Sequence, residues 1–161
     1  MTPKVLVVDD DAEFTELITY TLEKQGCRVV AAADGVQGLN QARTELPDVI
    51  LLDLMLPDLD GLSVFQILRS QPSTRTIPVL IVSALGESWA TVRGRAPRYE
   101  RYLKKPINLK ELSRFVHAAA SGRMGGSASV TIEKKASPEA DRRAERRHEH
   151  ARTAPPRQML Q

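Results

Sequence analysis

Short apolar runs alternate with amphipathic stretches along the first 120 residues of this chain of 161. The runs are apolar throughout rather than at every second position, which is typical of strands covered on both faces. This pattern predicts strands at 4–8, 27–31, 48–53, 77–82 and 99–104. Apolar residues spaced by three and four predict helices from Asp11 to near Gly26, at 36–43, after Gly61 and at 109–119. The alternation indicates an α/β fold, a parallel sheet with helices on both faces.

Polar side chains stand where the predicted strands end. Asp9 and Asp10 follow the first strand, Asp53 ends the third, Ser83 ends the fourth, and Lys105 follows the fifth. Ligands of such sheets bind beyond the carboxyl ends of the strands, so these side chains are expected to converge. Clustered carboxylates repel one another and suit a hard divalent cation such as Mg²⁺, while a hydroxyl and an ammonium suit phosphate oxygens. Together they predict phosphoryl transfer to a carboxylate.

The motifs that carry these residues resemble the receiver domain of bacterial two-component response regulators. The matching segments are VLVVDDD (5–11), DVILLDLMLPDLDG (48–61), PVLIVSA (78–84) and YLKKP (102–106). The resemblance implies a flavodoxin-like (βα)5 doubly wound parallel sheet with strand order 2-1-3-4-5. It also implies a function: the domain takes a phosphoryl group on Asp53 from a histidine kinase or phosphotransfer protein and signals through a conformational change.

The resemblance assigns the metal site residue by residue. Asp9 and Asp10 match the acidic metal-binding pair, and Asp53 matches the phosphoacceptor, which is also a metal ligand. The backbone carbonyl of Met55 is the further ligand that the family implies. The implied cofactor is Mg²⁺, for which Mn²⁺ can substitute.

The resemblance also assigns the residues that respond to phosphorylation. Ser83 matches the hydroxyl residue that bonds the phosphoryl group, and Lys105 matches the lysine that pairs with it, ahead of a proline whose peptide bond is typically cis. Tyr102 matches the aromatic residue that turns inward when the hydroxyl residue moves. Each has an ordinary alternative when taken alone: a serine at a strand end, a surface lysine and an edge-strand aromatic.

Phosphohydrolases that use an Asp nucleophile are a second class with an apolar strand ending in Asp. They place a second Asp two residues later as general acid, where this chain has Met55. We therefore expect a phosphoacceptor with self-catalysed phosphotransfer rather than a dedicated enzyme. In the receiver family the side chains at the positions of Met55 and Leu85 flank the path of hydrolytic water, and both are apolar here, which predicts slow autodephosphorylation.

Charge and composition separate the chain into two parts. Residues 1–120 carry 14 Lys and Arg against 15 Asp and Glu, whereas residues 121–161 carry 9 against 5, so the net charge of +3 comes from the tail. No stretch approaches the roughly 18–20 apolar residues of a membrane span, and the single Cys27 reads as a buried small hydrophobe. These features predict a cytoplasmic protein without membrane contact.

Two basic regions leave the output open. The chain departs from the family pattern between residues 86 and 101. The basic 93–104 segment, which is rich in arginine, fits either a solvated surface or a docking face for an acidic downstream protein. We predict a receiver domain at 1–120 and a flexible, mostly disordered basic tail at 121–161, with a short helix near 138–151. Signalling by protein–protein interaction is the main hypothesis. The alternative is a phosphorylation-controlled nucleic-acid contact through the tail.

Overall fold

Strands and helices alternate in the order that the apolar pattern predicts, in a computed structural model that describes residues 1–85 and 101–122. The strands are β1 Lys4–Val8, β2 Arg28–Ala32, β3 Val49–Leu52, β4 Val79–Ser83 and β5 Arg101–Lys104. The helices within those residues are α1 Ala12–Glu23, α2 Gly35–Glu45, α3 Gly61–Ser70 and α4 Leu109–Ala120.

The five strands form one parallel sheet in the order β2-β1-β3-β4-β5. The chain therefore starts inside the sheet at β1, runs to one edge at β2, crosses back to β3 on the other side of β1, and continues through β4 to the other edge at β5. In register, Leu6 of β1 pairs with Val30 on one side and Ile50 on the other. The predicted flavodoxin-like, doubly wound fold is confirmed. Because the order reverses between β1 and β3, the carboxyl ends of these two strands flank the natural binding crevice.

Successive residues of the central strands pack into two hydrophobic clusters, one on each face of the sheet. Leu6 and Val8 join the cluster that contains α2 and α3 residues, whereas Val5 and Val7 join the one that contains α1 and α4 residues. Among the described residues, Phe65 is the largest fully buried side chain, and the core around it is almost entirely aliphatic. Covering β1 and β3 on both faces fixes the positions of the polar residues that follow them.

Side-chain caps start all four described helices. Asp11 accepts a hydrogen bond from the Phe14 amide, and Asp34, Asp60 and Asn108 cap the other three helices. Each cap leaves the amino end of its helix at the same rim of the sheet as the strand carboxyl ends. This rim is therefore rich in fixed backbone donors.

The element boundaries differ from the predicted ones by a few residues. β2 starts after Cys27, because the Cys27 amide donates to the Leu22 carbonyl and closes the end of α1. β4 starts at Val79, because Pro78 has no amide for the ladder. Cys27 is buried, as expected.

Most of the 93–104 surface and nearly all of the 121–161 tail lie outside the described residues. No helix among the described residues is long and apolar enough to cross a membrane.

Candidate functional site

Asp53 lies at the carboxyl end of β3, with its backbone held by the sheet and its carboxylate held by two donors. The Asp53 amide donates to the Val8 carbonyl at 3.0 Å, which extends the β1–β3 pairing by one residue. Its Oδ1 accepts from the Met55 amide at 3.0 Å, and its Oδ2 accepts from Lys105 Nζ at 3.0 Å. The residue is only 6% exposed. A buried carboxylate is thus fixed in one orientation.

Asp9 and Asp10 bring two further carboxylates from the end of β1. Asp9 is buried: its Oδ1 accepts from the Asp11 amide at 2.9 Å and its Oδ2 from Lys105 Nζ at 2.6 Å. Asp10 is exposed. Carboxylate oxygens of Asp9, Asp10 and Asp53 all lie within 4.8 Å of one another.

Lys105 bridges the two buried carboxylates. It stands directly after β5, where its amide donates to the Ser83 carbonyl at 2.9 Å, and the Lys105–Pro106 bond is cis, as the resemblance implies. Burial by itself lowers the pKa of Lys105, but the hydrogen bonds to Asp9 and Asp53 outweigh it and leave that pKa raised. Burial raises the pKa of Asp9 despite the neighbouring ammonium. Three carboxylates against one ammonium leave the site with an excess of negative charge.

Ser83 and Tyr102 meet at a third residue, Leu85. Ser83 is fully buried at the end of β4, next to β3 in the sheet, and its Oγ accepts a long hydrogen bond of 3.4 Å from the Leu85 amide. The Tyr102 hydroxyl donates to the Leu85 carbonyl. The tyrosine of β5 and the serine of β4 are therefore linked through the backbone that leaves β4.

Comparison with known proteins identifies the family behind this geometry. The model of the response regulator receiver domain matches residues 5–117. The chain belongs to this family. As a receiver, it is 40% identical over 116 residues to the DNA-binding dual master transcriptional regulator RpaA of Synechocystis, a match that covers 72% of this chain and 48% of that protein. The receiver chain spans about half the length of the curated relatives that it matches.

Solved receiver structures agree with the fold. The receiver domain of the Francisella response regulator 1452 superposes with a TM-score of 0.69 at 36% identity, covering 76% of this chain and 99% of that one. The receiver domain of the Pseudomonas aeruginosa sensor histidine kinase PA1611, described with a magnesium ion coordinated in its active-site cleft, superposes with a TM-score of 0.67 at 29% identity. That match covers 75% of this chain and 99% of that one.

The structure brings the predicted residues of this receiver together in two groups. Asp9, Asp53 and Lys105 are in direct contact, with Asp10 beside them. Ser83 and Tyr102 lie on the two neighbouring strands, as described above. The Met55 amide contacts Asp53, whereas its side chain is 56% exposed. The roles of these residues, including the Met55 carbonyl as a metal ligand, remain predictions.

The donor set of the receiver site fits Mg²⁺. Its oxygens are carboxylates, the hard ligands that this ion takes in small numbers while it keeps several waters. Two of the carboxylates are buried and one is exposed, so an ion can be held on one side and remain open to water and phosphate on the other. The excess of negative charge at the site favours a divalent cation there.

Gly61 lies in close contact with the backbone at the end of β3. It is the first residue of α3, and its amide donates to the Leu54 carbonyl at 2.9 Å. A Cβ on Gly61 would collide with the Asp53 carbonyl oxygen and lie 2.5 Å from the Leu54 Cα. The helix start thus packs directly on the backbone of the candidate phosphoacceptor, and only glycine fits there.

Asp58 ties the loop after β3 to α2, a contact that the sequence analysis missed. Its two carboxylate oxygens accept from the Gly35 amide at 2.8 Å and the Val36 amide at 3.0 Å. These hydrogen bonds, that from Gly35 first, lower the pKa of Asp58 to about 2. The partners are 23 and 22 residues away in sequence, so no local pattern could have indicated the contact.

Proposed function

We propose that this receiver accepts a phosphoryl group on Asp53 from a histidine kinase or phosphotransfer protein and signals by a change of conformation. The observation that carries the proposal is the Lys105 bridge. One ammonium, 3.0 Å from Asp53 and 2.6 Å from Asp9, holds a buried carboxylate at the crevice of a receiver fold. A cation beside the acceptor oxygen is what charge development on a transferred phosphoryl group requires.

In the proposed transfer, an Asp53 carboxylate oxygen attacks the phosphorus of a phosphohistidine. The new O–P bond forms as the N–P bond breaks, and the electron pair of the N–P bond returns to the ring nitrogen. When the other ring nitrogen of the phosphohistidine carries a proton, the leaving group is neutral imidazole and no further proton is needed. The Met55 amide keeps the Asp53 carboxylate oriented for this attack. Lys105 Nζ donates to an oxygen of the transferred group, and the Ser83 hydroxyl supplies a second donor.

Asp9, Asp10 and Asp53 are the proposed Mg²⁺ ligands, with the Met55 carbonyl as the fourth protein ligand; Mn²⁺ fits the same oxygens. When bound, the ion neutralises charge on the phosphoryl oxygens. The excess of acid in the cluster supports this assignment, as does the magnesium described for the cleft of PA1611.

The chain brings no general acid to the position two residues after Asp53. The Met55 thioether has no proton to give, so the leaving group must depart without help from that side chain. An activated donor such as phosphohistidine or acetyl phosphate meets this condition, which favours a self-catalysed phosphoacceptor over a dedicated hydrolase.

We assign the reaction to the cytoplasm, in keeping with a chain whose single cysteine cannot form an internal disulfide.

The proposed output is a contact with a downstream protein. Movement of Ser83 toward a phosphoryl group would pull on the Leu85 amide, and the Leu85 carbonyl in turn binds the Tyr102 hydroxyl. This linkage gives a path from the acceptor to the β5 edge of the sheet. The curated relative RpaA is named as a DNA-binding regulator, but this chain spans about half of its length.

Beryllofluoride, a stable mimic of the acyl phosphate, tests the proposal. Together with Mg²⁺ it should raise the midpoint of thermal unfolding, because a ligand that binds only the folded protein stabilises it. Asp53→Asn should remove this shift, and Asp10→Ala should require much more Mg²⁺ to reach it. Glu16→Gln, at an exposed acid of α1, is the control and should behave as wild type. An equal shift in Asp53→Asn would contradict the proposal.

A further inference from the structure

The Lys105 ammonium has a third neighbour besides its two carboxylates, the aromatic ring of Phe14. Nζ lies 4.1 Å from the ring centroid, well inside the range of a cation–π interaction. An ammonium has three N–H donors, and the hydrogen bonds to Asp9 and Asp53 use two of them. The ring therefore covers a further side of a cation whose side chain is only 17% exposed.

Phe14 is held in this place by the same turn that carries Asp9. The Phe14 amide donates to Asp11 Oδ1 at 3.0 Å, and the Asp11 amide donates to Asp9 Oδ1 at 2.9 Å. Asp9 Oδ2 accepts from Lys105, whose ammonium meets the Phe14 ring. Four residues thus form a closed circuit of contacts, which fixes the backbone of Phe14, and with it the start of α1, relative to Lys105.

The ring differs from the carboxylates in how it responds to a metal. Mg²⁺ at the proposed site would share the oxygens of Asp9 and Asp53, and both would then bind Lys105 less strongly. A benzene ring is not a ligand for Mg²⁺, so its attraction for the ammonium persists. Phe14 is also half-buried against the α1/α4 core cluster, which limits the positions open to its ring.

We propose that Phe14 is a positioning residue that holds Lys105 Nζ beside Asp53 while the phosphoryl group is transferred. This inference rests on the proposed function of Asp53. It extends the site to an uncharged side chain that touches neither the metal nor the phosphoryl group and acts through the lysine. The ring face is the feature that matters, so a side chain of similar bulk without a ring should not replace it.

The rate of phosphorylation by acetyl phosphate, measured on the full chain in saturating Mg²⁺, distinguishes the effect of the aromatic ring from the effect of side-chain size. Phe14→Leu should react about fivefold more slowly, the effect of losing a moderate cation–π contact. Phe14→Tyr, which keeps the ring, should stay close to wild type. The matched control is Phe115→Leu, which removes a half-buried ring 4.3 Å from Arg101 at the other end of β5. It should leave the rate unchanged.

A fluorinated side chain tests the electrostatic part even if Phe14→Leu fails to fold. Fluorine atoms on the Phe14 ring keep its shape and weaken the negative face, so the rate should fall stepwise from one to three fluorines. A trifluorinated protein that reacts at the wild-type rate would overturn the inference, as would equal slowing by Phe14→Leu and Phe115→Leu. A wild type that takes no label would overturn the proposed function itself, so the two failures are distinguishable.

Discussion

At the scale of single residues, the site holds buried carboxylates in fixed orientations, and its carboxylates outnumber its one ammonium group. Burial raises the pKa of Asp9, and it does so although Lys105 lies 2.6 Å away. Holding the Asp9 carboxylate buried as an anion costs folding free energy, which its hydrogen bond from Lys105 offsets only in part. Such an arrangement is typical of a site kept for chemistry rather than for stability.

The lifetime of the phosphorylated state should depend on two apolar side chains. Neither the exposed Met55 nor the half-buried Leu85 can orient a water for in-line attack, so we expect the acyl phosphate to decay over many minutes or longer. The Met55→Asn, Leu85→Glu double variant should decay about tenfold faster or more. The measurement is loss of label after donor removal, with Leu17→Glu on α1 as the control. Equal decay of wild type and double variant would mean that these side chains do not set the lifetime.

A single methyl group at Gly61 should damage both stability and the site. Because its Cβ would meet the backbone of Asp53 and Leu54 rather than a movable side chain, Gly61→Ala should lose about 1–3 kcal/mol in urea unfolding. It should also slow phosphorylation, since Asp53 itself must shift.

Gly26→Ala is the matched control for that stability loss. Gly26 has φ +83° with open space around its Cβ position, so alanine there costs about 1 kcal/mol of backbone strain. Gly26 follows the carboxyl end of α1, whereas the site lies at the amino end of this helix. The Gly26→Ala substitution should therefore leave phosphorylation unchanged. Normal labelling of Gly61→Ala would contradict the tight packing described at Asp53.

At the scale of secondary-structure elements, the loop between β3 and α3 is held in place by contacts at its two ends and in its middle. Asp53 and Gly61 fix its ends against each other, and Asp58 fixes its middle to the amino end of α2. The Asp58 carboxylate covers two amides that α2 leaves without partners in its own first turn. The loop that carries Met55 is therefore ordered by a neighbouring helix.

Asp58 should make stability depend on pH in the acid range. Its pKa of about 2 in the folded protein lies below the ordinary 3.8, so its contribution is complete above about pH 5 and is lost as the pH falls through 3.8 toward 2. Asp58→Asn should be less stable than wild type in urea unfolding at pH 7, and the gap should narrow between pH 4 and pH 2. Glu16→Gln controls for the lost charge. A gap that stays constant down to pH 2 would show that Asp58 is not held as an anion.

The sequence predicts these elements well because their signals are local. Apolar runs mark the strands, and acids that follow a run directly mark the rim, so Asp9 and Asp53 could be found without a structure. The start of β2 could not, since it depends on the Cys27 amide closing α1. Contacts such as Asp58 with α2, or Phe14 with Lys105, join residues far apart in sequence, and no period or spacing encodes them.

At the scale of the whole molecule, the strand order assembles the site. Three neighbouring strands, β1, β3 and β4, end at one rim, and β5 adds Lys105 from the edge of the sheet. Residues from position 9 to position 105 thus meet within a few ångströms because the sheet is parallel throughout. The core on both faces of the sheet is almost entirely aliphatic, and the buried acidic residues of the described part of the chain, Asp9 and Asp53, both lie at this rim.

Phosphorylation of the intact protein tests the central claim most directly. Incubation with acetyl phosphate and Mg²⁺, followed by intact-mass spectrometry, should show one phosphoryl group on the wild type and none on Asp53→Asn. Chelation of Mg²⁺ should also prevent labelling of the wild type, because the repulsion among Asp9, Asp10 and Asp53 is then unrelieved. Equal labelling of wild type and Asp53→Asn, or no labelling of the wild type under these conditions, would contradict the account.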